Sequence, residues 1–293
     1  MKGHLLPDSV AAFSAVVKDR LQVAGLATPA LDARVIIMRA TGLTHEELIA
    51  RSGTSVAPEA RVQIMGMVRR REEGEPLSRM FGEREFYGRL FTLNSGTLDP
   101  RADTETLVDA GLRVLREQPH QAWRIADLGT GSGAVIITVL AEMPEAEGVG
   151  TDLCITALKA ARVNALRHKV ANRLELIEGS WFETLSGAFD LIVSNPPYIA
   201  SGAIALLPRE VRLHDPHRAL DGGPDGLSAY RALAEGVCRH LRIGGHLCVE
   251  IGEGQEGAVG GIMRGGGLRP ARRHPPVTAD LSGTPRVLTF MNA

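Results

Sequence analysis

Cysteine is scarce in this sequence. The 293 residues include only Cys154, Cys238 and Cys248, and no two of them form a C-x-x-C pair. Disulfide scaffolds and zinc modules need closely spaced or paired cysteines, so the spacing favours neither. We interpret the three thiols as small apolar side chains and predict no metal site.

Long apolar runs and a large net charge are also absent. No run approaches the length of about 18 apolar residues that a membrane helix needs, and the N-terminus lacks the order of a signal peptide. The formal net charge is -1, whereas proteins that bind the phosphate backbone of a nucleic acid usually present a basic surface. We therefore expect a cytoplasmic, monomeric protein that contacts neither a membrane nor, directly, a nucleic acid.

Residues 1–76 carry helix signals without the strand and glycine pattern seen later. Helix-start residues occur at three points, namely Ser9, Pro29, and the capping box of Thr44 with Glu47. A fourth helix is predicted over residues 61–71, and we interpret its three terminal arginines as a solvated charged face. The pattern predicts a small, all-helical N-terminal domain, with a role in substrate recognition.

A β-hairpin is predicted to join this domain to the rest of the chain, within a linker of residues 77–105. Residues 85–98 alternate in polarity and contain Asn94, Ser95 and Gly96, which are typical turn residues. We expect the hairpin turn at these three positions.

Strand and helix patterns alternate over residues 106–293. This alternation is typical of an α/β fold, a doubly wound, mostly parallel sheet with helices on both faces. The predicted strands span residues 123–126, 149–152, 174–177, 189–193, 246–251 and 286–290.

A glycine turn follows the first of these strands. Residues 127–133 read Asp-Leu-Gly-Thr-Gly-Ser-Gly, and Gly129, Thr130, Gly131, Ser132 and Gly133 are its candidate ligand-binding residues. Glycines allow close backbone approach, and the N-H groups of a following helix favour an anionic group. The spacing is neither the dinucleotide G-x-G-x-x-G nor a phosphate loop with its lysine.

Two further residues suggest that the ligand contains a nucleoside. Asp152 ends the second predicted strand about 20 residues after the glycines, where doubly wound folds bind ribose hydroxyls. Trp181 follows the third strand, where its ring could stack on adenine. The alternatives are a helix-capping role for Asp152 and core packing for Trp181.

The sequence Asn195, Pro196, Pro197, Tyr198 follows a strand that is apolar along most of its length. Two prolines lack N-H donors and fix their own φ, so the segment is stiff and presents carbonyl oxygens. Asn195 adds a side-chain acceptor. We interpret the four residues as a site for a planar amino group, such as an amide or aromatic NH2, although Asn and Pro also form ordinary tight turns.

These motifs together resemble class I S-adenosylmethionine-dependent methyltransferases, and their details resemble the HemK/PrmC release factor glutamine methyltransferases. Three further stretches agree with the narrower family: residues 82–88, 97–105 and 215–227. The run Pro-Arg-Ala-Asp-Thr-Glu at 100–105 differs from the Pro-Arg-Ser-Pro typical of ribosomal-protein glutamine methyltransferases. Ser180 stands where many members carry an acid, so we leave it out of the site.

The resemblance implies a seven-stranded sheet whose last strand is antiparallel, with S-adenosylmethionine as methyl donor and S-adenosylhomocysteine as product. The implied protein substrate is the glutamine of the Gly-Gly-Gln motif in class I peptide chain release factors. Asn195 and Pro196 would be the catalytic pair that accepts the two amide hydrogens, with Pro197 and Tyr198 completing the substrate site. Asn195 would also border the cofactor, and no general base is assigned.

Two other functions remain open at this stage. An adenine N6 methyltransferase acting on DNA or RNA would use the same Asn-Pro-Pro-Tyr segment on an exocyclic amine after flipping the base. A methyltransferase-like module that binds a nucleoside without turnover is the non-enzymatic alternative.

Overall fold

The computed structural model describes residues 8–117 and 122–293, so the first seven residues of the predicted N-terminal domain lie outside it. The chain divides into two compact units, one ending at Phe81 and the other beginning at Gly82. Among the described residues, no helix combines the length and apolarity required to cross a membrane.

The N-terminal unit is helical. Its helices are α1 (Val10–Val23), α2 (Pro29–Thr41), α3 (His45–Ala50), α4 (Pro58–Glu72) and α5 (Leu77–Phe81). The predicted starts are confirmed by the caps, since the Ser9 hydroxyl accepts from the Ala12 N-H and Thr44 and Glu47 form both bonds of a capping box. Pro29 occupies the first position of α2.

The end of α4 differs from the prediction. Arg71 is buried, and its Nε donates to Asp32 Oδ2 over 2.8 Å, so this arginine does not belong to a solvated face. Ile64 and Val68 lie seven and three residues earlier, and this spacing places Arg71 on the helix face that they bury. A buried guanidinium requires a charged partner, and Asp32 of α2 supplies it.

The hairpin forms, but its turn is not at Asn94–Gly96. Its strands are β1 (Glu83–Phe86) and β2 (Arg89–Thr92), joined by Tyr87 and Gly88 with φ of 52° and 67°. A two-residue turn with both φ angles positive has a backbone twist that matches the twist of the flanking strands. Such turns usually contain Asn, Asp or Gly, so the tyrosine at the first position did not mark this turn in the sequence. Asn94 instead donates through its side chain to the Thr156 carbonyl.

The second unit is built on one large sheet. Its strands are β3 (Trp123–Leu128), β4 (Ala146–Asp152), β5 (Leu174–Glu178), β6 (Phe189–Ser194), β7 (Leu241–Glu250), β8 (Arg269–Pro270), β9 (Val277–Ala279) and β10 (Pro285–Met291). The order is β5-β4-β3-β6-β7-β10-β8, and β10 is antiparallel to β7. The expected seven strands and antiparallel last strand are confirmed, and the short β9 adds an eighth by pairing with β10.

Helices cover both faces of this sheet. The helices of this unit are α6 (Glu105–Arg116), α7 (Ala134–Glu142), α8 (Ile155–Arg167), α9 (Arg209–His214), α10 (His217–Leu220), α11 (Ser228–His240) and α12 (Glu256–Gly265), with 3-10 turns at Ala102–Thr104, Ala171–Arg173 and Ser201–Leu206. Consecutive residues of β6 enter different cores. Leu191 packs in the cluster that includes α6 and α7, and Ile192 packs in the cluster that includes α11 and α12. The doubly wound prediction is confirmed.

Candidate active site

The glycine turn lies at the carboxyl end of β3. Gly129, Gly131 and Gly133 all have positive φ, of 75°, 56° and 79°. A Cβ at Gly133 would stand 2.6 Å from Cδ1 of Ile137, so a side chain there would have to displace Ile137 of α7 and adopt a positive φ that L-residues rarely take. The N-H groups of Gly129 and Thr130 donate to the Thr151 carbonyl, and that of Gly133 donates to the Thr130 carbonyl. With the Gly131 N-H directed at Asp152, only the Ser132 N-H of this turn has no acceptor within the described residues and can face an anionic ligand group.

Asp152 connects the end of β4 to this turn. Its Oδ2 accepts from the Gly131 N-H and its Oδ1 from the Cys154 N-H, each over 2.8 Å. Burial raises the pKa of Asp152, and the two N-H donors act in the opposite direction. Each carboxylate oxygen retains acceptor capacity, so the local capping role and ligand binding are compatible.

Asp127 is a buried carboxyl in the same region to which the sequence assigned no role. The Thr130 hydroxyl donates to its Oδ2 over 2.7 Å. Burial raises the pKa of Asp127 to about 7, although the Thr130 hydrogen bond favours the charged form. Its position two residues before Gly129 was the only sequence signal of its place in the site.

Trp181 forms part of the cavity wall and part of a core. It is half-buried, packs against the cluster under α11 and α12, and lines the same cavity as the glycine turn. Its backbone has φ 45°, and its ring lies 4.0 Å from where a Cβ on Gly129 would be. Trp181 thus packs in a core and lines the cavity, and its stacking on adenine stays a prediction.

The Asn195–Tyr198 segment leaves β6 at the same edge of the sheet. Asn195 Nδ2 donates to the Thr104 hydroxyl over 3.1 Å. Within residues 8–117 and 122–293, neither the Asn195 side-chain oxygen nor the Pro196 carbonyl oxygen accepts a hydrogen bond. Asn195 lines the cavity, whereas Pro196 is buried and lies outside its lining, so access of a donor to the Pro196 carbonyl stays a prediction.

The 215–227 stretch holds this segment in place. The Ile199 N-H donates to the Leu220 carbonyl, and the Gly222 N-H donates back to the Ile199 carbonyl. A Cβ at Gly222 would lie 2.7 Å from the Pro197 carbonyl oxygen and 2.9 Å from the Tyr198 Cα. Glycine at 222 therefore allows the two backbones to touch.

One cavity contains most of the predicted site. Eight predicted residues line it: Gly129, Thr130, Gly131, Ser132, Asp152, Trp181, Asn195 and Pro197. Gly133, Pro196 and Tyr198 do not line it. Burial raises the pKa of the Tyr198 phenol to about 12. The stacking role of Tyr198 on the substrate amide stays a prediction.

Sequence reasoning missed several residues of the wall, namely Gly96, Leu98, Pro100, Thr104, Asp127, Ala134, Val135, Leu153, Gly179, Arg218 and Ala219. Thr104 and Arg218 come from segments far from the glycines in sequence, so no local spacing marked them.

No cluster of three or more His, Cys, Asp or Glu suited to a metal occurs among the described residues. The mixture of carboxylates, backbone donors and apolar side chains suits a nucleoside with a charged tail.

Comparisons with known proteins agree with this geometry. The PrmC N-terminal domain model matches residues 15–82, and the methyltransferase small domain model matches residues 104–220. The release factor glutamine methyltransferase of Agrobacterium fabrum is 42% identical, over 96% of this chain and 97% of its own length. That of Bradyrhizobium diazoefficiens is 45% identical, over 92% and 90%.

The chain belongs to the release factor glutamine methyltransferase family. It is an S-adenosylmethionine-dependent methyltransferase. Among solved structures, the hMettl16 catalytic domain in complex with a 3'UTR hairpin has a TM-score of 0.54 at 15% identity, covering 80% of this chain and 82% of that one. At this identity the likeness shows the fold alone.

Gly222→Ala tests the support of the Asn195–Tyr198 segment. The added Cβ must push Pro197 and Tyr198 away, so we expect the methyl-transfer rate to fall by about tenfold or more, since small misplacements of a reacting group are costly. S-adenosylmethionine affinity, measured by calorimetry, should change little. Gly202→Ala is the matched control, because nothing lies within 4 Å of its Cβ. An unchanged rate in Gly222→Ala would contradict the supporting role.

Proposed function

We propose that this protein transfers the methyl group of S-adenosylmethionine to the side-chain amide nitrogen, N5, of the glutamine in the Gly-Gly-Gln motif of class I peptide chain release factors. The observation that carries the proposal is the pair of unengaged oxygens on Asn195 and Pro196. They match the two hydrogens of a primary amide. The reaction would take place in the cytoplasm, where it would support translation termination.

Several residues would hold the methyl donor. The Asp152 carboxylate would accept from the ribose hydroxyls, and the Trp181 ring would pack on the adenine. The Gly129–Gly133 turn would place the Ser132 N-H, which has no acceptor within the described residues, near the carboxylate of the methionine part. When bound, S-adenosylmethionine supplies a methyl group on a positively charged sulfur, which is already a strong electrophile.

The main task of the protein residues is alignment. Asn195 Oδ1 and the Pro196 carbonyl would each accept one amide hydrogen, which holds the amide plane and directs its nitrogen towards the methyl carbon. A glutamate would present oxygens to these oxygens and leave polar groups unpaired, at about 1 to 3 kcal/mol each. We assign no general base, because the methylated nitrogen is acidic enough to lose its proton to water.

An exocyclic adenine amine offers the same two hydrogens as a primary amide. The alternative function is therefore that of an adenine N6 methyltransferase. The formal net charge of -1 favours the protein substrate, since backbone binding to nucleic acid depends on basic groups. We propose that the protein acts as a monomer without direct contact to nucleic acid.

Labelled S-adenosylmethionine distinguishes these substrates. The purified protein is incubated with a class I release factor, with the same factor carrying Gln→Ala in its Gly-Gly-Gln motif, and with adenine-containing duplex and single strands. We expect label on the intact factor only. Label on nucleic acid alone would replace the proposal with the adenine reaction, and label on the Gln→Ala factor would move the modified residue elsewhere.

Asn195→Ala tests the acceptor assignment. Losing one aligned hydrogen-bond acceptor should lower the single-turnover rate by about 100-fold, the usual scale for one preorganised group. S-adenosylmethionine affinity should stay within about tenfold, because most of the cofactor wall is unchanged. Asn172→Ala, at an exposed position, is the control. Turnover retained in Asn195→Ala would remove Asn195 from its assigned role.

Asp152→Ala tests the ribose assignment. The variant loses charge-assisted hydrogen bonds, worth about 1.5 to 3 kcal/mol each, so the dissociation constant for S-adenosylmethionine should rise by about tenfold or more. Calorimetric titration measures it directly. Glu147→Ala is the matched control, because Glu147 is an exposed acid on the same strand. Equal affinities in the wild type and Asp152→Ala would refute the assignment.

A further inference from the structure

Gln255 lies where three segments of the second unit meet, namely the turn after β7, the 215–227 stretch and the Asn195–Tyr198 segment. It directly precedes α12. Its backbone N-H donates to the Gly252 carbonyl, and its own carbonyl accepts from the Val259 N-H in the first turn of that helix. The main chain of Gln255 is therefore held by the helix start, and its side chain extends from a fixed point.

The side-chain amide of Gln255 joins these segments by hydrogen bonds. Its Oε1 accepts from the Gly252 N-H over 2.9 Å, and its Nε2 donates to the Tyr198 carbonyl over 3.1 Å. A longer contact of 3.4 Å joins Nε2 to the Gly226 carbonyl. Because Tyr198 is the last residue of the predicted substrate site, one side chain connects that site to the turn after β7.

The orientation of this amide is determined by its partners. A backbone N-H only donates and a backbone carbonyl only accepts, so all three partners have fixed roles. Exchanging the oxygen and nitrogen positions would set Oε1 against the carbonyls of Tyr198 and Gly226, and Nε2 against the Gly252 N-H. Gln255 therefore presents a donor, and not an acceptor, to the Tyr198 carbonyl.

The two prolines of the segment make this contact important. Pro196 and Pro197 have no N-H, so neither can donate a hydrogen bond that would anchor the middle of the segment. Side-chain contacts anchor it on either side of the prolines instead. The Asn195 amide nitrogen is bound before them, and the Tyr198 carbonyl is bound after them.

We propose that Gln255 is a positioning residue for methyl transfer, which fixes the Tyr198 end of the Asn195–Tyr198 segment and thereby the place of the substrate amide relative to the methyl donor. The Tyr198 ring lies against the same support, since a Cβ on Gly252 would stand 3.0 Å from Tyr198 Cδ2. Small misplacements of a reacting group are costly in rate. This positioning role rests on the proposed function.

Gln255→Met and Gln255→Glu give the first test. Methionine keeps the length of the side chain without its hydrogen bonds, and glutamate keeps an acceptor for Gly252 but sets its second oxygen against the Tyr198 carbonyl. With S-adenosylmethionine and the release factor both saturating, we expect the single-turnover rate to fall by about tenfold in Gln255→Met and at least as much in Gln255→Glu. Both dissociation constants should stay within about threefold, because Gln255 does not line the cavity.

Asn292→Leu is the matched control. Asn292 Nδ2 also donates to two backbone carbonyls, those of Cys238 and Leu241, and Leu241 lies at the opposite end of β7 from the Gln255 turn. We expect this variant to have a lower thermal midpoint and a wild-type rate. A wild-type rate in folded Gln255→Met or Gln255→Glu would overturn the proposal. So would an equal fall in rate in Asn292→Leu, since that result would assign the effect to a general loss of stability.

Gly226→Ala gives a second test, because it displaces the same carbonyl without changing Gln255. Gly226 has φ 74°, and a Cβ there would overlap the Tyr198 carbonyl oxygen. We expect a fall in rate of about tenfold, with S-adenosylmethionine affinity unchanged. Gly244→Ala is the control, since Gly244 has φ 80° and nothing lies within 4 Å of its Cβ, so it shares the backbone strain without the contact.

Equal rates in folded Gly226→Ala and Gly244→Ala would contradict the proposal. Thermal denaturation establishes that each variant is folded at the assay temperature, and where Gln255→Met does not fold the two glycine variants decide. If the wild type itself does not methylate the release factor, the proposed function fails, which is a separate result.

Discussion

Parallel pairing of the central strands is the constraint on which the site depends. Asp127 is in register with Gly150 of β4 and with Val193 of β6, so the three strands end at one edge. The glycine turn, Asp152 and Asn195 follow those ends directly. Residues separated by tens of positions in sequence are thereby brought to one cavity without any long loop having to fold back.

Two carboxyl groups are buried at this edge, Asp127 and Glu250, and burial raises the pKa of each to about 7. Placing such groups away from water costs stability, and each is only partly compensated by hydroxyl and amide donors. The Thr130 hydroxyl donates to Asp127, whereas Glu250 Oε2 has no hydrogen-bond partner within the described residues.

Local patterns predicted most of the fold because strands, caps and glycine turns leave their signals within a few residues. The hairpin turn was misplaced because Tyr87 adopts positive φ without being a residue type that signals it. Arg71 was misassigned because its partner Asp32 lies 39 residues away. Thr104 was missed for the same reason, since it meets Asn195 across 91 residues. Contacts of this kind form when distant segments pack together, so no local spacing of residues in a single sequence predicts them.

Selectivity for an amide over a carboxylate is a matter of orientation more than of residue type. Asparagine carries a donor and an acceptor on one planar group, so the same side chain favours glutamine or glutamate according to its rotation. Proline removes this ambiguity at the next position, because it has no N-H and offers only its carbonyl. In the proposed reaction, the Pro196 carbonyl would be an acceptor by its covalent structure, whereas Asn195 would be one only when its oxygen faces the substrate. In that reaction, selectivity at Asn195 would therefore depend on the groups that contact its amide nitrogen, of which the Thr104 hydroxyl is one.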